Sequence, residues 1–336
     1  MENFMEISDA RTIPVSEYLE SVTDPLRRAA IASVFEQARS ALELMFVRFS
    51  VDVPVPEIFV LTTDQIKAEA NPLGLIVVSQ GMIKHCFDTA IPSSKVKAGN
   101  EDYLDGLPDL FPQIGLTWVL AHEYAHLFRA HHQVQIELGS HDHVLRAFEH
   151  DADLCAAAAV YRAVQQWLPG IQDIDIRCYV IYALFWIIRT FPNTNDGAGV
   201  HPSFSERFFQ ILLKLTTLQA MPGDVLDLDV KLSATANRGD ALRNVAIACE
   251  TAYLAKAPGT KNDFFMQWHE YFKSYGHIAI INEWIMVSPF VEKHSHTTAD
   301  MRRHASVVPM TMSDIARLEK AERKRHRRAQ ARSRTQ

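Results

Sequence analysis

The segment that most constrains this chain is Trp118 to Phe128, which reads Trp-Val-Leu-Ala-His-Glu-Tyr-Ala-His-Leu-Phe. It contains no proline or glycine, and its apolar residues recur at helical spacing, which predicts a buried helix. His122 and His126 are four residues apart, so both imidazoles lie on one face of that helix, about one turn from each other. Glu123 lies beside this face, within reach of water on a zinc ion that the two imidazoles hold. Burying these polar groups without a partner would cost free energy, so we predict that His122 and His126 bind zinc.

A third metal ligand has to come from elsewhere in the chain, and two positions qualify. His132 has the spacing of the last histidine in the pattern HExxHxxGxxH, but Arg129 stands where that pattern needs glycine for a sharp turn. The segment from Arg146 to Ala159 predicts a second helix, on which Glu149 and Asp153 share a face. One of these carboxylates can bind the metal while the other accepts the ring N–H of a ligand histidine. The second helix is therefore the stronger source of the third ligand.

The His-Glu-x-x-His motif at 122–126 is followed by Glu149–Asp153 and then by His201-Pro202 with Glu206-Arg207. In this order the motifs resemble those of the gluzincin peptidases that include HtpX and the CAAX prenyl proteases. The family's E-x-x-A-D element is similar to Glu149–Asp153, and its His-Pro…Glu-Arg element is similar to the segment from His201 to Arg207. Its edge strand is similar to the segment from Glu69 to Ile83, although Pro72 departs from the family's pattern. The resemblance spans roughly residues 55 to 210, and the elements follow the family's order.

The resemblance implies a role for each polar residue of these motifs. Glu149 would be the third zinc ligand, and Asp153 would orient the imidazole of His122. His201 would lie near the metal and hydrogen-bond the oxyanion formed during attack, and Arg207 would be a structural or electrostatic partner. In the chemistry of the HExxH motif, Glu123 acts as the general base.

The resemblance also implies a surface for an extended peptide substrate. The family's edge strand above the metal would be formed by Leu75, Ile76, Val77, Val78 and Ser79, and a peptide could pair with it through backbone hydrogen bonds. From the residues alone, an ordinary core strand is an equal alternative.

The periodicity of the whole chain predicts an α+β fold that is mostly helical. Runs rich in β-formers at Glu57–Leu61 and Leu75–Ser79 indicate a small sheet, and helices are expected over most of the remaining chain. We expect a zincin-like (gluzincin) metallopeptidase unit with a small edge sheet and extra packing helices. Its parts would be an N-terminal helical segment (1–50), a zinc metallopeptidase domain (51–220), a C-terminal helical extension (221–310) and a basic tail (311–336).

Composition and charge limit which cellular compartment and which binding partners we expect. The four cysteines show no CxxC spacing, the N-terminus lacks the pattern of a signal peptide, and the longest apolar run, Cys178–Ile188, is too short to cross a bilayer. We therefore expect a cytoplasmic protein without a membrane span. The segment Arg317–Gln336 carries nine Lys and Arg against two Glu, while the net charge is −6, so the rest of the chain is acidic. That balance argues against nucleic acid as the main partner, although the tail could still bind nucleic acid or another acidic partner.

These observations favour a soluble zinc-dependent metalloendopeptidase that acts on a peptide or protein substrate. Two alternatives stay open: a catalytically silent zinc-binding scaffold or regulator, and a nucleic-acid-associated protein that uses the basic tail. The other histidines around the two helices are predicted to be surface or outer-sphere residues, namely His131, His132, His141, His143 and His150.

Overall fold

The computed structural model describes residues 10–71, 73–89, 110–191, 202–219, 228–257 and 276–297. Helices dominate these residues and a small mixed sheet accompanies them, which agrees with the predicted α+β class. The predictions for His201 and for the basic tail (311–336) lie outside the described residues.

The sheet has four strands in the order β1, β2, β4, β3. They are β1 (Thr12–Pro14), β2 (Glu57–Leu61), β3 (Ala68–Asn71) and β4 (Leu75–Ser79). Strand β4 is parallel to β2 and antiparallel to β3, while β1 is antiparallel to β2.

The expectation that Leu75–Ser79 forms an edge strand is wrong, because β4 lies inside the sheet. Strand β3 pairs antiparallel with β4 and covers the side of β4 that β2 leaves open. Gly74 has a φ of 83°, a conformation that glycine adopts without steric cost. The edge of the sheet on this side is therefore β3, a strand that the sequence analysis did not predict.

The described part of the chain has ten helices. In order they are α1 (Val15–Ser21), α2 (Pro25–Arg48), α3 (Gln80–Asp88), α4 (Phe111–Phe128), α5 (His131–Leu138), α6 (Asp142–Trp167), α7 (Asp173–Arg189), α8 (Phe204–Thr217), α9 (Leu228–Lys256) and α10 (Gly276–His294). Local sequence sets several of their starts. Asp24 caps α2 ahead of Pro25, and Ser203 and Glu206 form a reciprocal capping box at α8.

Helix α4 does not run on into the segment that follows it. It ends at Phe128, and Ala130 takes a left-handed conformation with φ of 54° before α5 begins at His131. A left-handed alanine costs roughly 1–2 kcal/mol, so the surrounding contacts have to hold this turn in place. The turn directs His131 back toward α4.

Two clusters of buried apolar side chains hold these elements together. The larger one joins the sheet with α1–α4 and α6–α9, and α4 and α6 pack directly against each other within it. The smaller one lies between α5, α6 and α10 and contains Val134, Phe148, Trp284 and Val291. Among the described residues, no helix combines the length and the apolar character that crossing a membrane requires.

Candidate metal centre

Helices α4 and α6 bring two histidines and one carboxylate together at their contact. Nε2 of His122 lies 3.1 Å from Nε2 of His126, and the two carboxylate oxygens of Glu149 lie 3.4 Å from the first and 3.5 Å from the second. These three residues form a group that could hold a metal ion. The four-residue spacing on α4 gives the histidines a common face, and α6 crosses that face at Glu149.

Glu123 lies next to this group and lines the same cavity. Burial raises the pKa of its carboxyl group to about 7, against the opposing effects of His122 and of a hydrogen bond with the backbone of Ala70. That hydrogen bond lowers the pKa, so the Ala70 N–H is the donor and the Glu123 carboxylate the acceptor. A carboxyl group with a pKa near neutrality can both accept and release a proton at neutral pH.

The other ring nitrogen of His122 faces Asp153. Nδ1 of His122 lies 3.0 Å from Oδ1 of Asp153. Arg207 on α8 donates two hydrogen bonds to the same carboxylate, from Nε to Oδ2 at 2.8 Å and from Nη2 to Oδ1 at 2.7 Å. Burial alone would raise the pKa of Asp153, but Arg207 and His122 lower it to about 2. Burial likewise opposes the charged form of His122, yet hydrogen bonds with Asp153 and Glu149 raise its pKa to about 10.

The other ring nitrogen of His126 faces a histidine instead of a carboxylate. Nδ1 of His126 lies 2.9 Å from Nδ1 of His131, and Nε2 of His131 lies 3.2 Å from Oδ2 of Asp151. Burial lowers the pKa of both imidazoles, to about 3 for His126. Arg129 donates from Nε to the same oxygen of Asp151 at 2.7 Å and lowers the pKa of that carboxyl group despite burial.

Asp151 was not among the predicted site residues, and His131 was predicted only as one of five surface or outer-sphere histidines. Asp151 and Asp153 are two residues apart on one predicted helix. A buried helix carries two such acids only if both find partners, so this pattern could have pointed to Asp151. The left-handed turn at Ala130 was not readable from the sequence. Without that turn, His131 would continue along α4 and point elsewhere.

The remaining predicted residues lie in different environments. His132, the alternative third ligand, is exposed, although it lines the rim of the cavity. Ile76, Val78 and Ser79 of β4 are buried, and the Ser79 hydroxyl donates to the carbonyl of Gln65 and accepts the N–H of Met82. The strand that lines the cavity is β3, through Ala68, Glu69 and Ala70.

Comparison with known proteins gives one coarse result. The chain matches the family model for Peptidase U49 over residues 87–221, a span that includes α4 and α6. The match supports a peptidase, whose substrate is a peptide or protein, and it does not support the more specific resemblance to HtpX and the CAAX prenyl proteases. No curated protein and no solved structure matches the chain.

Proposed function

We propose that this chain is a zinc-dependent metalloendopeptidase of the gluzincin type, with His122, His126 and Glu149 as its zinc ligands. The observation that carries the proposal is the set of separations between their nearest atoms, 3.1, 3.4 and 3.5 Å. Zinc binds nitrogen and oxygen ligands tetrahedrally at about 2.0–2.2 Å, so neighbouring ligand atoms are about 3.3–3.6 Å apart. The separations of 3.4 and 3.5 Å, each to a different oxygen of Glu149, lie in this range, and the 3.1 Å between the two Nε2 atoms is slightly shorter. One ligand atom from each residue lies within 4.8 Å of the others, and all three residues line the cavity.

The donor set also fits zinc by its chemistry. Two imidazoles and one carboxylate are the ligands of the peptidase type of catalytic zinc site, which keeps an open position for water or substrate. Each histidine has a polar neighbour at its second nitrogen: Oδ1 of Asp153 lies 3.0 Å from Nδ1 of His122, and Nδ1 of His131 lies 2.9 Å from Nδ1 of His126. Such partners fix the tautomer of a ligand histidine and orient its ring.

Zinc, when bound, supplies a Lewis acid that polarises a carbonyl group and lowers the pKa of water. Glu123 accepts a proton from the attacking water and later donates it to the leaving amine. Its raised pKa suits both steps, because burial makes the protonated form accessible near neutral pH. The hydrogen bond from the Ala70 backbone holds the carboxylate toward the cavity.

An extended peptide would pair with β3, the strand beside the metal ligands. Ser79 donates its N–H to the carbonyl of Lys67, so residue 67 belongs to a hydrogen-bonded pair with β4. Such pairs alternate along an antiparallel ladder, so the N–H and C=O groups of Ala68 and Ala70 point away from β4. Backbone groups at a strand edge are those that an added strand uses. Of the two N–H and two C=O groups of Ala68 and Ala70, the N–H of Ala70 donates a hydrogen bond to Glu123.

A catalytically silent zinc scaffold is the competing function, and Glu123 argues against it. A structural zinc site does not need a half-buried carboxyl group beside its ligands whose pKa is raised to about 7. The tail that would support a nucleic-acid role lies outside the described residues.

The test of the function is the variant Glu123→Gln. It keeps the size of the side chain and leaves the three ligands unchanged, so it should bind one equivalent of zinc like the wild type and cleave nothing. Zinc content is measured by mass spectrometry, and cleavage by peptide sequencing after incubation with a proteome-derived peptide library. The matched control is Glu137→Gln, an exposed glutamate of α5 paired with Lys293 and His294, which should behave as wild type in both assays. Near-normal turnover by Glu123→Gln, or a wild type that binds no zinc, would refute the proposal.

A further inference from the structure

The two proposed histidine ligands are supported in different ways. His122 meets the carboxylate of Asp153 directly, whereas His126 meets His131, which in turn meets Asp151. His131 and Asp151 are 2% and 1% exposed, so both side chains are shielded from solvent. His126, His131 and Asp151 thus form a series of three residues joined by two contacts. The donor and the acceptor of each contact follow from which ring nitrogens carry protons.

The protons of this series follow from the proposed function, on which the inference rests. If Nε2 of His126 binds zinc, its lone pair is used there and the neutral ring carries its proton on Nδ1. Nδ1–H of His126 then donates to Nδ1 of His131, the only arrangement that makes this 2.9 Å contact a hydrogen bond. His131 must therefore carry its own proton on Nε2, where Asp151 accepts it at 3.2 Å.

The surroundings hold His131 in the orientation that this series needs. Its ring stacks on Phe148 with centroids 4.6 Å apart and an interplanar angle of 13°. The left-handed Ala130 brings it back toward α4. Arg129 then fixes Asp151, because its Nε donates to the carboxylate oxygen that faces His131.

The same arginine connects the series to α10. Arg129 is fully buried, and besides Asp151 it donates from Nη2 to Glu292 at 2.8 Å and from Nη1 to Ser295 at 3.2 Å. These two residues lie beyond the segment 87–221 that matches the peptidase family. The metal site therefore has hydrogen-bonded support from a part of the chain outside that segment.

We propose that His131 is a positioning residue for the metal ligand His126: it accepts the ring Nδ1–H, fixes the tautomer that presents Nε2 to zinc, and is itself held by Asp151, Arg129 and the end of α10. Losing a hydrogen-bond partner of a ligand histidine typically lowers metal affinity about 10- to 100-fold. Loss of His131 should therefore weaken zinc binding without abolishing it.

The experiment compares two substitutions of His131. His131→Phe keeps a ring that can stack on Phe148 but has no hydrogen-bonding atoms. His131→Gln can accept with its carbonyl and donate with its amide, so it retains both contacts. We expect zinc affinity, measured by competition with a chelator, to fall about 10- to 100-fold in His131→Phe and to stay within a few-fold of wild type in His131→Gln. The visible absorption of the cobalt-substituted protein should change in the first variant only, and His143→Gln, an exposed histidine of α6, should match wild type.

A second measurement needs no variant, in case His131→Phe does not fold. Long-range ¹H–¹⁵N correlation spectra of the zinc-loaded wild type report which ring nitrogens carry protons. We expect protons on Nδ1 of His126 and on Nε2 of His131. A proton on Nδ1 of His131, or unchanged zinc affinity in His131→Phe, would overturn the positioning role while leaving the zinc peptidase intact. A wild type that binds no zinc would instead refute the proposed function, and this inference with it.

Discussion

At the scale of single residues, Asp153 joins a metal ligand to a buried cation. One of its oxygens faces Nδ1 of His122, and both accept hydrogen bonds from Arg207. Arg207 satisfies the negative charge of the carboxylate, so Asp153 stays ionised although it is 2% exposed. An ionised carboxylate is a strong acceptor for an imidazole N–H, and Asp153 therefore suits an orienting role without touching the metal.

Three substitutions distinguish a zinc ligand, a residue that orients a ligand and a residue without contact to the metal. Glu149→Ala removes a donor atom and should strip zinc or weaken its binding severely. Asp153→Asn should still bind zinc, about 10- to 100-fold more weakly, because the amide can accept the His122 N–H but carries no charge. His132→Ala should keep zinc, since His132 is exposed and the chain turns before it. Chelator competition ranks the three variants, and loss of zinc in His132→Ala with retention in Glu149→Ala would show that the ligand set is wrong.

At the scale of elements, strand β3 shows what the sequence did and did not reveal. The helices α4 and α6 were predictable because each has helical periodicity and carries its polar residues on one face. Strand β3 reads Ala-Glu-Ala-Asn, which has none of the β-branched or aromatic residues that mark strands. Its pairing is fixed by the adjacent turn and by β4, so only the fold could show that β4 is an inner strand. The break at Ala130 escaped prediction for the same reason, because tertiary contacts override the local preference against a left-handed alanine.

The prediction for β3 uses proline at a strand edge. Proline is tolerated where the backbone N–H points away from the sheet, as the pairing register indicates for Ala68. Ala68→Pro should therefore keep the fold and zinc, but it removes an edge N–H that a peptide would use, so KM should rise several-fold. Thr12→Pro is the matched control: residue 12 on β1 also points its N–H away from its neighbour, because residue 11 makes the adjacent hydrogen-bonded pair with Thr62. Steady-state kinetics on a cleaved peptide decide it, and an unchanged KM in Ala68→Pro would argue against substrate pairing at β3.

At the scale of the whole molecule, two buried ion pairs connect the metal site to the outer helices. Asp151–Arg129 joins α6 to the end of α4 and, through Glu292, to α10, whereas Asp153–Arg207 joins α6 to α8. The chain just after α10 is held to the same region by two backbone hydrogen bonds. The N–H of His296 donates to the carbonyl of Phe128, and the carbonyl of His296 accepts from the N–H of Asp52. Removing one partner of a buried pair leaves an uncompensated charge and costs about 3–5 kcal/mol. Stability and metal binding thus depend on the same carboxylates.

This dependence predicts how stability changes with pH. The pKa of Asp153 is lowered to about 2 in the folded protein, from an ordinary value of 3.8. Since the folded-state pKa is below the unfolded one, its stabilisation is complete above about pH 4 and is lost as the pH falls toward about 2. Between about pH 5 and about pH 3, the wild type should lose about 1 kcal/mol of unfolding free energy that Asp153→Asn does not lose, because the amide has no proton to bind.

Urea unfolding of chelator-treated protein at the two pH values measures this difference. Asp64→Asn is the control, because Asp64 forms an exposed ion pair with Lys84, and exposed pairs contribute little to stability. Its loss of stability over the same pH range should equal that of the wild type. An Asp153→Asn variant that loses as much stability as the wild type would mean that Asp153 does not stabilise the fold as a charged partner of Arg207. In that case the support of His122 would have to come from geometry alone.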